Sequence, residues 1–289
     1  MTVIKQAIME ASSFLCRKGL ESPRVEAELL LSFLIQRERL YLYLHGEEEL
    51  PPELAEEYLD IVRKRGAGEP LAYITGIKEF MGLNFRVKRG ALIPRPETEH
   101  LVEGVINWFN ESRPQQKNNE PCRILDLGTG CGNIALSLVY YLPGVMAVGV
   151  DISKKALELA ILNAAELGLQ DRVKFLNGDF WQALNGEKQK FHAIVSNPPY
   201  IPVKTLASLS REVQQEPRIA LDGGIDGLEA FRKIFSRVRE YLLPSGLLAL
   251  EVGAGQADSV LEMGRKAGFF EKNDFIKDYA GLERVVLLA

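Results

Sequence analysis

Apolar side chains recur at helical spacing over residues 4–18, 24–34 and 53–65, with Pro51 and Pro52 opening the last stretch, so the chain should begin with a small bundle of helices. From residue 73 to about 94 the spacing shortens to alternation, as in residues 80–87, which predicts a β-hairpin or short strands, and Pro94 and Pro96 punctuate the join to the remainder of the chain. A helix is expected after Pro96. The pattern then changes again. Short apolar runs at residues 123–127, 145–150, 173–177 and 191–196 read as strands buried on both faces, and residues 133–141 read as a helix after the first. Residues 113–119 form a polar loop before the first of these strands.

The segments just beyond these runs carry the chemistry. The first strand enters Gly128-Thr129-Gly130-Cys131-Gly132, and strand, glycine loop and helix together open a nucleotide-binding βαβ unit. Glycines let the backbone turn tightly against a ligand, and N–H groups at the helix start can meet its polar groups. The spacing is GxGxG; a dinucleotide fingerprint would want a third glycine at position 133, which is Asn, so pyrophosphate binding is the weaker reading. The second strand ends at Asp151, whose carboxylate suits ribose hydroxyls in NAD or in S-adenosylmethionine alike, or equally a helix start before Ser153 and Lys154. The third leads to Asp179-Phe180, an acid and a ring that fit adenine or simply pack.

The fourth strand stops at Asn197-Pro198-Pro199-Tyr200. The prolines fix their own φ, donate no N–H and push Asn197 toward extended backbone, leaving the Pro198 carbonyl and the Asn197 side-chain oxygen as two acceptors. Two acceptors can hold both protons of a planar NH2 group while Tyr200 stacks on its plane. A Pro-rich turn with a half-buried tyrosine would look the same in isolation. The four sites gain weight together, because each comes directly after a successive strand, at the edge where open α/β sheets bind ligands.

The series Asp126 to Gly132, Asp151, Asp179-Phe180 and Asn197 to Tyr200 resembles a class I S-adenosylmethionine-dependent methyltransferase that methylates amino groups. Residues 70–76, 92–99 (Leu-Ile-Pro-Arg-Pro-Glu-Thr-Glu), 216–218 and 220–224 resemble one family in particular, the release factor glutamine methyltransferases (PrmC, also called HemK), and the likeness spans nearly the whole chain. It implies an α/β fold: a Rossmann-like seven-stranded methyltransferase domain over residues 96–289, closed by a terminal antiparallel pair near residues 275–278 and 284–288. A helical substrate-recognition domain would occupy residues 1–75, with a β-hairpin linker at 76–95. It also implies S-adenosylmethionine as cofactor, held by Asp126, Gly128, Thr129, Gly130, Cys131, Gly132, Asp151, Ile152, Asp179, Phe180 and Asn197. Phe180 stands where some members carry Trp, an exchange that keeps a stacking ring. The implied substrate is the glutamine of the Gly-Gly-Gln motif in class-1 peptide-chain release factors, met by Asn197, Pro198, Pro199 and Tyr200, with Arg95 and Glu97 nearby; Asn197, Pro198 and Tyr200 would carry the catalysis.

Composition narrows the rivals. The chain has 289 residues, 46% hydrophobic and 26% charged, ordinary for a globular protein of about two domains. Acidic and basic residues nearly balance in residues 1–90 and in the remainder, with a net charge of −4, so neither part offers the basic surface expected of an enzyme that flips a nucleic-acid base. Arg63-Lys64-Arg65, near Glu53, Glu56 and Glu57, reads first as a solvated face and second as a contact for a protein partner. A scaffold that binds cofactor without catalysis would not need the acceptor corner. Cys16, Cys122 and Cys131 lack metal-ligand spacing and read as reduced thiols, and His192, inside an apolar strand, reads as a core residue; no metal is expected. Without a membrane-length apolar run or a signal-peptide core, a cytoplasmic monomer that binds neither membrane nor nucleic acid is the expectation.

Overall fold

The computed structural model describes residues 2–112, 121–186 and 189–289. The expected polar loop at 113–119 lies outside the described residues. The chain divides into two compact units, Met1–Ile77 with Ser210–Gln215, and Lys78–Leu209 with Glu216–Ala289.

The first unit holds β1 (Thr2–Val3), α1 (Ile4–Arg17), α2 (Pro23–Ile35), α3 (Arg39–Leu44), β2 (Glu49–Leu50), α4 (Pro52–Gly66) and α5 (Leu71–Thr75). Pro23 and Pro52 each begin a helix, where a missing N–H costs nothing. The apolar stripes meet around Leu15, Leu30, Leu31 and Tyr58, and the Tyr58 hydroxyl donates to the Ala27 carbonyl at 2.9 Å. Besides the expected helices, β1 pairs with β2 over two residues, too short for a periodicity to reveal. The basic cluster does not behave as one solvated face. Arg63 is exposed beside Asp60, whereas Arg65 is buried, bonds to Glu26, reaches Glu212 at 3.0 Å and donates to the Glu69 carbonyl at 3.1 Å. Its position on the apolar stripe of α4 outweighs its charge, and two carboxylates make the burial tolerable.

β3 (Ile77–Phe80) and β4 (Leu83–Arg86) form a two-stranded sheet. The connection is only Met81-Gly82, both with positive φ, the geometry that matches the twist of a tight hairpin. A single 3₁₀ turn, Pro96–Thr98, then opens α6 (Glu99–Ser112). The second unit continues with β5 (Cys122–Leu127), α7 (Asn133–Tyr141), β6 (Val145–Asp151), α8 (Lys154–Glu166), β7 (Val173–Asn177), β8 (Phe191–Ser196), α9 (Arg218–Leu221), α10 (Glu229–Tyr241), β9 (Leu242–Glu251), α11 (Ala257–Ala267), β10 (Asn273–Lys277) and β11 (Glu283–Leu288). Seven strands run in the order β10-β11-β9-β8-β5-β6-β7. β9, β8, β5, β6 and β7 pair in parallel, and β11 pairs antiparallel with both β9 and β10.

Alternation divides each central strand between two cores. Ile124, Ala193, Val195, Leu247 and Ala249 face the layer of α6 and α7, while Leu125, Leu127, Ile194, Leu248 and Leu250 face that of α10 and α11. Gly104 on α6 sits against Ile276 and Leu287, so the missing side chain lets the helix lie close to the terminal strand pair. β9 is the strand that apolar runs miss. Pro244, Ser245 with φ +58° and Gly246 read as a turn, yet the strand continues through them, and its register with β8 shifts between Phe191 and Ala193 to absorb the irregularity. Among the described residues no helix is long and apolar enough to cross a membrane.

One buried polar residue ties the hairpin to the glycine loop. Asn163 on α8 accepts from the Arg86 N–H at 2.7 Å and donates to the carbonyls of Arg86, at 3.2 Å, and Cys131, at 2.9 Å. It is 1% exposed, so water cannot replace these partners. Asn163→Leu should destabilise the protein by about 2–3 kcal/mol, the cost of leaving buried backbone groups unpaired, and lower cofactor affinity through the loosened loop. Thermal melting and calorimetry check both parts; an unchanged melting temperature would contradict the tie.

Candidate active site

The loops that carry the chemistry leave the carboxyl ends of β5, β6, β7 and β8. Pairing sets those ends level: Leu127 lies beside Val150, Asp126 beside Val195, and Asp151 beside Asn177. Gly128, Gly130 and Gly132 have φ of +77°, +57° and +85°, a left-handed run that L side chains rarely adopt. A side chain at Gly132 would press on Leu136 and Ala160, so that glycine is needed for packing. One at Gly130 would meet nothing within 4 Å, and one at Gly128 would only touch the Phe180 ring at 4.0 Å. Open space therefore lies over the loop, where a ligand can approach the backbone. Cys131 contributes its backbone alone: its side chain is fully buried, and burial pushes the thiol pKa up to about 12.

Two carboxylates frame this space. Asp126 is wholly buried; one oxygen accepts from the Thr129 hydroxyl at 2.6 Å and the Ala135 N–H at 3.2 Å, and the other has no partner among the described residues. Burial raises its pKa to about 7 against those hydrogen bonds. Asp151 accepts from the Gly130 N–H and the Ser153 N–H, each at 2.8 Å, and burial shifts its pKa upward. Each of its oxygens keeps a further lone pair for a donor such as a ribose hydroxyl. The two readings of Asp151, an acid at a helix start before Ser153 and a ligand acceptor, are thus compatible. Ile152, next along, is exposed. Asp179 is engaged by Lys233 at 2.9 Å, and the same ammonium lies 6.0 Å from the Phe180 ring, which φ +45° turns toward the glycine loop. The orphaned Asp126 oxygen, the open space over Gly130 and the acid at the end of β6 fit an aminoacyl nucleoside such as S-adenosylmethionine.

At the end of β8, Asn197 donates through Nδ2 to the Thr98 hydroxyl at 3.0 Å, which leaves its Oδ1 for another group. Among the described residues no donor reaches the Pro198 carbonyl. The Tyr200 hydroxyl lies 3.4 Å from Oε1 of Glu251, and burial drives its pKa above the ordinary phenol range. Glu251, at the end of β9, is 2% exposed, and burial lifts its pKa to about 7. Glycines hold the corner shut from behind. A side chain at Gly223 or Gly227 would strike the Tyr200 backbone, while Gln256 donates to the Tyr200 carbonyl at 3.1 Å and Ile201 bridges to Asp222. Arg95 is drawn onto the buried Glu216, whose other oxygen accepts from the Ile93 N–H at 3.0 Å; this pair braces residues 93–95. Glu97 is half-buried and acts electrostatically on Tyr200 and Glu251.

His192 accepts from the Arg123 N–H at 3.1 Å at the other end of β8, away from this edge, as a satisfied strand residue. A cavity of about 1230 Å3 lined by Trp108, Arg123, His192 and Lys272 lies at that opposite edge and touches none of Asp126, the glycine loop, Asp151, Phe180 or residues 197–200. Sequence reasoning missed Thr98, Glu251, Asn163 and Lys233. Thr98 was visible within the Pro-Arg-Pro-Glu-Thr-Glu run, and an acid closing the apolar run 247–250 marked Glu251; nothing local marked Lys233. Among the described residues no cluster of His, Cys, Asp or Glu could hold a metal ion.

A mixed seven-stranded sheet with a GxGxG loop after its central strand and an acid after the next defines a class I S-adenosylmethionine-dependent methyltransferase. Two family profiles match: the PrmC N-terminal domain over residues 6–76 and a methyltransferase domain over residues 118–264. The chain belongs to the release factor glutamine methyltransferase family. It is 43% identical over 287 residues to the release factor glutamine methyltransferase of Moorella thermoacetica, covering 98% of this chain and 97% of that one. The corresponding protein of Coxiella burnetii is 38% identical, covering 99% of both. Among solved structures the hMettl16 catalytic domain superposes with a TM-score of 0.59 at 15% identity, over 90% of this chain and 92% of that one, a likeness that shows the fold alone.

The buried acid of the glycine loop gives a pH test. Its folded pKa, about 7, exceeds the ordinary 3.8, so the folded state binds more protons than the unfolded chain between those values. Its contribution to stability is full below pH 3.8 and is lost as pH rises through about 7. Asp126→Asn removes that loss. The melting temperature of the variant without cofactor should rise relative to wild type from about pH 5 to about pH 8. A constant difference across that range would overturn the protonation assigned to Asp126.

Proposed function

We propose that this protein transfers a methyl group from S-adenosylmethionine to the side-chain amide nitrogen (N5) of the glutamine in the Gly-Gly-Gln motif of class-1 peptide-chain release factors, and so regulates translation termination. The observation that carries this reading is the Asn197 amide at the strand end, its NH2 spent on Thr98 and its oxygen free beside the Pro198 carbonyl. Two acceptors suit the two N–H donors of a planar amide NH2 group. The names of the full-length relatives support the substrate class.

S-adenosylmethionine, when bound, supplies an electrophilic methyl group on a sulfonium sulfur. Asp126, the glycine loop, Asp151, Ile152, Asp179 and Phe180 would hold it. The remaining work is positioning. An amide nitrogen is a poor nucleophile because its lone pair is shared with the carbonyl, so the gain must come from alignment for in-line attack. Asn197 Oδ1 and the Pro198 carbonyl would orient both N–H groups and bind more strongly as positive charge builds on nitrogen. No base is required to start the reaction, since the nitrogen becomes strongly acidic once methylated and its proton then leaves. Tyr200 would lie against the amide plane. The helical domain, residues 1–75, would recognise the body of the release factor, offsetting the cost of ordering a flexible loop. The enzyme would work as a cytoplasmic monomer.

Incubation with methyl-labelled S-adenosylmethionine, an intact release factor and nucleic acid, followed by peptide mapping, tests the reading: label should appear on the Gly-Gly-Gln glutamine alone, and label on nucleic acid would overturn it. Asn197→Ala should lower kcat by about 100-fold with cofactor affinity nearly intact. Asp151→Ala should instead weaken cofactor binding roughly ten- to a hundredfold, the value of a charge-assisted acceptor. Calorimetry and turnover separate the two; the same pattern for both variants would refute the division of labour.

A further inference from the structure

Resting on the cofactor role given above to Asp179 and Phe180, we propose that Lys233 is a positioning residue that prepares these two side chains as a wall for the adenine of S-adenosylmethionine. Lys233 Nζ donates to Asp179 Oδ2 at 2.9 Å and lies 6.0 Å from the centroid of the Phe180 ring. The Lys233 carbonyl accepts from the Trp181 indole N–H at 2.7 Å. One residue of α10 thus holds three consecutive residues beyond β7. Trp181 is fixed further by stacking on Tyr241, with 5.2 Å between ring centroids and 6° between planes.

The segment needs such a hold. Phe180 has φ +45°, a conformation that costs any residue other than glycine free energy, and that turn brings its ring over the glycine loop, 4.0 Å from where a side chain at Gly128 would begin. Neighbouring contacts must therefore keep the chain there. The two contacts of the ammonium are unequal. Its distance from Phe180 is at the outer reach of a cation–π interaction, so the ring is held more weakly than the carboxylate. On Asp179 the grip is a direct charge-assisted hydrogen bond, and because it occupies Oδ2 it leaves Oδ1 for the exocyclic amine of a base.

Fold stability does not account for the pair. The Lys233 side chain is 56% and that of Asp179 29% exposed, and ion pairs so open to water add little to stability. A base laid against Phe180 would cover Asp179 and exclude water from it, and the same two charges then attract more strongly. The pair is therefore worth most when the ligand is bound. Its effect is also selective: a 6-amino purine offers Asp179 a proton, whereas a 6-oxo purine sets oxygen against oxygen at that position.

Calorimetry with S-adenosylhomocysteine and with S-inosylhomocysteine, together with melting curves recorded without ligand, tests the role in the full-length protein. Wild type should prefer the adenosyl ligand by about tenfold or more. Lys233→Met keeps the stem and removes the charge. It should weaken S-adenosylhomocysteine by about fivefold and S-inosylhomocysteine by less than about twofold, with the melting temperature within about 2 °C of wild type. Lys233→Arg restores a charged donor and should recover most of the lost affinity. The decisive arm is the double variant: Lys233→Met in the Asp179→Ala background should cost less than about twofold more, because the group it positions is gone. Equal weakening of the two ligands, wild-type affinity or a larger drop in melting temperature in Lys233→Met, no ligand preference in wild type, or full multiplication of the two losses would each overturn the positioning role while leaving the function intact. A wild-type protein that does not bind S-adenosylhomocysteine would overturn the functional reading and this inference together.

Discussion

Parallel pairing of β5 with β6 on one side and β8 on the other is the constraint on which the remaining structure depends. A parallel neighbour can be reached only by crossing back over the sheet, so each strand-to-helix turn falls at the same edge. Residues far apart in the chain, Gly130, Asp151, Phe180 and Asn197, thus share one rim by topology before any side chain chooses a partner. The register then sets their heights. The terminal antiparallel strands add no loop to this rim from their own turn; they seal the flank of β9 and so bury Glu251.

The rim is made rigid with buried acids, an expensive choice. Asp126 and Glu251 each lose hydration, and each leaves one oxygen without a described partner. Their other oxygens have specific roles: that of Asp126 staples the loop, through Thr129, to the first turn of α7 through Ala135, and that of Glu251 receives Tyr200. Hydrogen bonds in a dry site hold geometry better than apolar contacts, which are indifferent to rotation. A reaction with a weak nucleophile depends on geometry above all, and such acids secure it at a cost in stability.

Legibility in the sequence tracked how local each cause was. The glycine loop, the four buried strands and the Asn-Pro-Pro-Tyr corner were readable because backbone conformation and a run of side chains act within a few residues. β9 was hidden by Pro244 and Ser245, since nothing local tells that a neighbouring strand will tolerate a bulge. Arg65 looked like solvated charge because Glu212, one of its partners, lies about 150 residues away. Thr98 and Arg95 sat in a motif recognised only by likeness. That Arg95 braces against Glu216, while Thr98 reaches Asn197, depends on contacts spanning roughly a hundred residues, which no periodicity encodes.

The same polarity argument bears on selectivity in the proposed reading. In that reading Asn197 Oδ1 and the Pro198 carbonyl present acceptors to the substrate, while the carboxyl groups of Glu97 and Glu251 lie close enough to act on each other electrostatically. A glutamate side chain has the shape of glutamine but brings a charge and no protons, so it would meet acceptors with acceptors. A lysine would bring protons but also a tetrahedral, strongly hydrated ammonium that a flat slot against Tyr200 does not match. Discrimination of this kind is strong because the wrong ligand leaves buried polar groups unpaired, whereas a merely apolar slot separates similar shapes poorly. It acts on the reacting group alone. Every exposed glutamine would satisfy it equally, so in the proposed reading the choice among proteins falls to contacts away from the corner, the role proposed above for the helical domain.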